Sequence, residues 1–251
     1  MIIKNADELS KVKTAAKINT EALYYAKSLT KPGISSLEID LKVEEFYKKN
    51  AVKPAFKGVK GTKFPYPATI NFQINDQVVH NIPNAAQIVT AGDIVSIDTG
   101  CIYQGFYADQ ATSFGVGTIT QEDYKLLNIG QLSVEAACEK ATPHARVGDL
   151  GYIQQSIIEM AGFSVVKILC GHEIGRSLWE DLKIPAFGKP NIGEKLKKNM
   201  LICIENQVCA GSNKVFTGKD GWTISTQDGK NSVTFEHMVI VKDKPEIITR
   251  I

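Results

Sequence analysis

No run of this 251-residue chain approaches the ~20 apolar residues that a membrane-spanning helix needs. Its first residues, Met1-Ile-Ile-Lys-Asn-Ala-Asp-Glu, lack the long apolar core of a signal peptide, so a cytoplasmic protein is expected. There is no C-x-x-C pair, and the five cysteines (Cys101, Cys138, Cys170, Cys203, Cys209) are odd in number. Both facts argue against a disulfide framework or a structural zinc cluster. The cysteines read as reduced core residues, with Cys170, two positions before His172, a weaker candidate for thiolate ligation. A field of one sign is missing too. The formal net charge is +2, with Lys and Glu interspersed, which points away from nucleic acid as the main partner. Lys195-Leu-Lys-Lys198 reads as a solvated turn, and no low-complexity segment or linker is evident.

What is present is a repeated layout. Leu9 to Leu29 reads as a helix, Lys31-Pro-Gly33 breaks it, and Ser35-Ser-Leu-Glu38 opens a second helix through Tyr47. Gln121 to Ala141 again looks helical, Thr142-Pro143 ends it, and Gly148-Asp149 starts a helix through Met160 that Gly162 stops. Each pair of helices runs into strands rich in Val, Ile and Phe. An α+β fold follows, with residues 1–251 forming one domain of two related halves, about 1–118 and 119–251. The segment Thr99-Gly100-Cys-Ile-Tyr-Gln-Gly105-Phe resembles a β-hairpin whose arms would set Asp98 and Asp109 across from each other. Val52 to Pro67, with Gly58, Gly61, Pro65 and Pro67, reads as a surface loop near a pocket.

Three apolar runs each carry a carboxylate where a hydrophobic residue would be expected. They are Gly92-Asp-Ile-Val-Ser-Ile-Asp98, Met200-Leu-Ile-Cys-Ile-Glu205 and Val233-Thr-Phe-Glu236-His-Met-Val-Ile-Val241. In the last, strand alternation puts Glu236 with Met238 and Ile240, and Phe235, Val239 and Val241 on the other side, so both faces look buried. An ionised acid buried there must be neutralised, ion-paired or bound to a metal. Asp98, Asp109, Glu205, Glu236 and His172 together form the mixed oxygen and nitrogen ligand set expected for Mn, Fe, Co or Zn in a two-metal centre.

At these residues the sequence resembles the short bacterial methionine aminopeptidases, type I, which have the pita-bread fold. The matching segments are Ile74-Asn-Asp-Gln-Val-Val-His80-Asn-Ile-Pro83, Gly92 to Asp98, the hairpin ending in Asp109, Cys170-Gly-His172-Glu-Ile-Gly-Arg176, Ile204-Glu205-Asn, Gly221-Trp222-Thr and Phe235-Glu236-His237. The resemblance implies two pseudo-symmetric α/β halves, a central curved antiparallel sheet and helices on the outside. It implies that Asp109 and Glu236 bridge two divalent ions, that Asp98 chelates one, and that His172 and Glu205 bind the other. A water shared by the ions would lose a proton near neutral pH and attack the first peptide bond, with Glu205 as proton shuttle. His80 would hydrogen-bond the scissile amide, and Trp222 with Tyr66 or Phe64 would shape the pocket for methionine. The partners would be the N-terminal methionine of peptides and nascent proteins, with the ribosome a further candidate. A monomer is expected, with no membrane and no nucleic-acid specificity.

The sequence departs from this family at three places. Trp179 stands where a second, substrate-contacting histidine is usual, Glu173 where glycine is usual, and Lys63 in a loop where a pocket tyrosine is common. Indole offers one donor and more bulk than imidazole. Two other readings therefore accompany the aminopeptidase. One is a weakened or inactive paralogue that binds a protein or the ribosome, and the other an X-Pro aminopeptidase or prolidase-like enzyme.

Overall fold

The computed structural model describes residues 1–250; Ile251, the last residue of the expected domain, lies outside them. Helix α1 (Ala6–Leu29) begins three residues before the expected Leu9 because the Asn5 side chain caps it, accepting from the Glu8 amide at 2.9 Å. Helix α2 (Ser36–Lys49) opens on a reciprocal Ser35/Glu38 capping box. Five strands follow: β1 (Lys53–Pro54), β2 (Ile70–Ile74), β3 (Gln77–Val79), β4 (Ile94–Tyr103) and β5 (Phe106–Gly115). Helices α3 (Gln121–Glu139) and α4 (Val147–Met160) come next, close to their expected limits. The chain ends in β6 (Ser164–Val165), β7 (Gly171–Glu173), β8 (Lys183–Ile184), β9 (Leu201–Cys209), β10 (Val215–Thr217), β11 (Ile224–Thr226), β12 (Ser232–Ile240) and β13 (Glu246–Ile247).

All pairing is antiparallel. A four-stranded sheet has β4 at its centre, flanked by β5 on one side and by β1 and β2 on the other. A six-stranded sheet runs β13-β12-β9-β7-β8, with β6 also on β9, and a small sheet joins β10, β11 and β3. The two larger sheets meet along β5 and β12, where the Ser113 hydroxyl donates to the Thr234 carbonyl and accepts from the Thr234 amide, both at 2.8 Å. The central sheet is thus two hydrogen-bonded sheets joined by a side-chain bridge. Helices α1 and α2 cover the first, where Phe72 and Ile97 are fully buried; α3 and α4 cover the second, where Leu126 and Leu150 are. Each such side chain contributes about 1.5–3 kcal/mol. Among the described residues no helix is long and apolar enough to cross a membrane.

The hairpin corrects one expectation. Gln104 and Gly105, with φ of 48° and 81°, make the two-residue turn between β4 and β5, which pairs Tyr103 with Phe106. Counting back from that rung, Asp109 faces Gly100, and Asp98 faces Ala111. The two aspartates share a face but sit diagonally, one two-residue step apart. Gly100 belongs to the strand instead of the turn, and a Cβ there would lie 2.7 Å from the Phe56 ring.

Candidate metal centre

Five strands deliver the five expected ligands to one cavity of about 270 Å³: Asp98 from β4, Asp109 from β5, His172 from β7, Glu205 from β9 and Glu236 from β12. The delivery follows from register. Glu205 and Glu236 are directly paired across β9 and β12, and His172 is paired with Cys203 across β7 and β9. Gly171 allows that second approach, since a Cβ there would lie 2.4 Å from the Cys203 carbonyl. The ring nitrogen His172 Nδ1 is 3.1 Å from the Glu173 carbonyl, which can only accept, so Nδ1 carries the proton. Nε2 is left as a lone pair 3.7 Å from Asp109 Oδ2 and 3.9 Å from Glu236 Oε1.

The carboxylates are under-satisfied. Asp98 Oδ1, Asp109 Oδ1 and Glu236 Oε1 are buried with no hydrogen-bond partner. Asp98 has one support, the Asn71 amide donating to its Oδ2 at 2.9 Å, and Glu205 has one, the Gln207 amide at 3.1 Å. Burial raises the pKa of Asp98 to about 6 and that of Glu205 to about 8. Asp109 and Glu236 are pushed well above the ordinary range, first by burial and then by their acidic neighbours. Burial lowers His172 to about 4. A neutral imidazole facing orphaned carboxylate oxygens suits divalent cations, which would supply the missing partners. One donor atom each from Asp109, His172, Cys203 and Glu236 lies within 4.8 Å of the other three, a group that does not include Asp98 or Glu205.

Above these acids the cavity wall is aromatic and aliphatic. Tyr66, His80, Trp179 and Trp222 all line it, joined by Phe56 and Val59. The Tyr66 hydroxyl is 2.9 Å from the carbonyls of Ile70 and Asn81, so the residue offers the cavity only its ring. That ring meets Trp222 edge-on at 5.0 Å. The Trp222 indole N–H donates to the Phe64 carbonyl at 3.1 Å. Phe64 itself does not line the cavity: its side chain is exposed, and it acts there through its backbone. His80 closes β3 with φ of 58°, a left-handed conformation uncommon outside glycine, and burial lowers its pKa to about 4. Trp179 and Ile168 are exposed at the cavity mouth.

Glu173 and Lys63 do not reach the cavity. The Glu173 carboxylate lies 2.8 Å from the Met1 ammonium, and the Lys63 ammonium donates to the Lys219 carbonyl. Asn71, Gln207 and Cys203 are the site residues that reading the sequence missed. Asn71 carried the same signal as the acids, a polar residue inside the apolar run Ile70-Asn-Phe72. A strand cysteine carries no such signal.

The model of metallopeptidase family M24 matches residues 10–243. The chain is 41% identical to the methionine aminopeptidase of Clostridium perfringens over 252 residues, covering 100% of this chain and 99% of that protein. It is 36% identical to methionine aminopeptidase 1 of Bacillus subtilis, with 100% of both covered. The crystal structure of methionine aminopeptidase from Thermotoga maritima superposes with a TM-score of 0.95 at 36% identity, over 100% of both chains.

Proposed function

This chain belongs to metallopeptidase family M24 and has the pita-bread fold, and from that premise we propose that its cleft removes the N-terminal methionine of peptides and nascent proteins. It is a metal-dependent hydrolase. The observation that carries the reading is the set of buried carboxylate oxygens without donors, gathered around a neutral imidazole at the foot of an aromatic cavity.

Asp98, Asp109, His172, Glu205 and Glu236 would hold the ions, with Asp109 and Glu236 as ligands common to both, Asp98 as a ligand of one, and His172 with Glu205 as ligands of the other. Two divalent ions drawn from Mn, Fe, Co or Zn, when bound, supply Lewis-acid polarisation of the scissile carbonyl and a water of lowered pKa. Glu205 takes a proton and returns it to the leaving amine, and the Gln207 amide holds its carboxylate for that task. His80, neutral at physiological pH, hydrogen-bonds the scissile amide. Trp222 and Tyr66, with Phe56 and Val59, receive the methionine side chain, whose flexible thioether packs well on aromatic rings. Phe64 acts through Trp222, and Trp179 borders the residues beyond the first peptide bond.

The same reading takes residues 1–251 as one catalytic domain acting as a cytoplasmic monomer, with the ribosome a candidate partner. The order of two helices and then strands recurs in about 1–118 and 119–251 and supports the division into halves. Release of methionine from Met-Ala-Ser peptides with Mn, Fe, Co or Zn tests the function. Folded protein that turns over none of them with any metal would overturn it, and cleavage of X-Pro peptides alone would assign a different specificity.

A further inference from the structure

One donor at the metal centre has no role in the reading above. Cys203 is fully buried in β9, paired with His172 on one side and with Met238 on the other. Its sulfur is one of four donor atoms, with those of Asp109, His172 and Glu236, that lie within 4.8 Å of one another. Two of these neighbours carry the buried oxygens Asp109 Oδ1 and Glu236 Oε1 that lack a hydrogen-bond partner, so the thiol stands beside carboxylates with unfilled acceptor positions. Cys170 lines the same cavity but lies outside the group of four.

From this geometry we infer that Cys203 is a ligand of one of the two ions, completing a four-donor set with Asp109, His172 and Glu236 that selects zinc, iron or cobalt over manganese at that position. The inference rests on the metal-dependent reading of the cleft. Donor atoms around a tetrahedral zinc stand about 3.3–3.8 Å apart, given bonds of roughly 2.0–2.3 Å. His172 Nε2 is already 3.7 Å from Asp109 Oδ2 and 3.9 Å from Glu236 Oε1, near that spacing, and the Cys203 sulfur, within 4.8 Å of all three, would move in by up to about 1 Å on ligation. Ligation would form a metal–sulfur bond as the S–H proton passes to solvent, with no electrons transferred. Thiolate favours the softer ions, whereas a set made only of carboxylate and imidazole accepts manganese readily.

Zinc-edge X-ray absorption of the full chain loaded with zinc tests this without reference to activity. The expected result is a sulfur neighbour at about 2.3 Å beside oxygen and nitrogen at about 2.0–2.2 Å. That neighbour should vanish in Cys203→Ser and persist in Cys170→Ser. By chelator competition, Cys203→Ser should weaken zinc at least about tenfold and manganese far less. An oxygen and nitrogen shell alone around tightly held zinc in the unaltered protein overturns the inference while leaving the metal-dependent reading intact. A protein that retains no zinc overturns both. A sulfur signal that survives Cys203→Ser and disappears in Cys170→Ser moves the ligand and also overturns it. Because the unaltered protein gives the primary result, the answer does not depend on a variant that fails to fold.

Discussion

Glu205 and Glu236 occupy one rung of the β9–β12 ladder, two carboxylates directly opposed inside the protein. Like charges on facing strand positions repel even at a surface, and here Glu236 is buried and Glu205 is half-buried at the cavity. The rung is tolerable with the acids protonated or with cations between them. Glu236→Gln should separate these effects. It should lower metal affinity and kcat/KM by more than about 100-fold, yet stabilise the metal-free protein by about 1–3 kcal/mol. Metal titration and denaturant unfolding in EDTA check both signs, and a destabilised metal-free variant would contradict the argument.

The pH dependence of stability follows from the same burial. Carboxyls held at about 6 for Asp98 and about 8 for Glu205 support the fold only while protonated, so that support is lost as pH rises toward the folded values. His80 and His172, lowered from 6.5 to about 4, act in the opposite sense, and their cost appears as pH falls below 6.5. Between about 6.5 and 8 Asp98 has already lost its proton and Glu205 governs. Metal-free protein should melt at a lower temperature at the upper end of this window than at the lower. The gain in Tm on adding metal should widen correspondingly. A gain independent of pH would mean the acids are not desolvated as described.

Asn71 gives Asp98 its single hydrogen bond, at 2.9 Å. Replacing it by Ala should leave the fold intact, because β2 and β4 pair through their backbones from Ile70 to Ile74. Metal affinity and kcat/KM should fall by about 10- to 100-fold, the usual effect of removing a partner that orients a metal ligand. Calorimetric metal titration decides it, and unchanged affinity would show that Asp98 needs no such support.

His80 is best tested by Asn, which tolerates the left-handed backbone at φ of 58° and keeps a short polar group. If the imidazole stabilises the transition state, kcat should fall by about 10²–10³ while KM and Tm change little. A rise in KM with kcat preserved would make His80 a binding residue instead.

How much of this was readable in advance depended on whether a residue broke its local pattern. Glu205 and Glu236 did, since a carboxylate directly after Leu-Ile-Cys-Ile or Val-Thr-Phe, once buried, must be neutralised, ion-paired or bound to a metal. The helices were readable from Ser35/Glu38 and from Pro and Gly breaks, and the early start of α1 was missed because Asn5 lies before the apolar stripe. The diagonal offset of Asp98 and Asp109 was hidden, because register depends on the Gln104-Gly105 turn and a one-rung shift leaves the composition unchanged. Phe64 and Tyr66 could not be told apart, as loop residues have no periodicity to say which ring faces inward. Cys203 was hidden because a buried thiol looks like any small apolar residue.

The last prediction concerns the pocket wall through a residue with no side chain. A Cβ on Gly61 would lie 2.3 Å from Trp222 Cζ2 and 2.6 Å from Cε2, inside the volume of the indole. Trp222 has little freedom to yield, because its N–H is bound to the Phe64 carbonyl and its face meets Tyr66. Gly61→Ala should therefore displace the indole and cost about 1–3 kcal/mol of local packing energy. Gly61 sits in an exposed part of the chain, so the global Tm should move little. The loss should appear as a raised KM for methionyl peptides with kcat largely retained, because the metal ligands lie on other strands. Peptides with a smaller first residue should be affected less. Unchanged KM and unchanged indole fluorescence together would mean that Trp222 does not form the wall that receives the side chain.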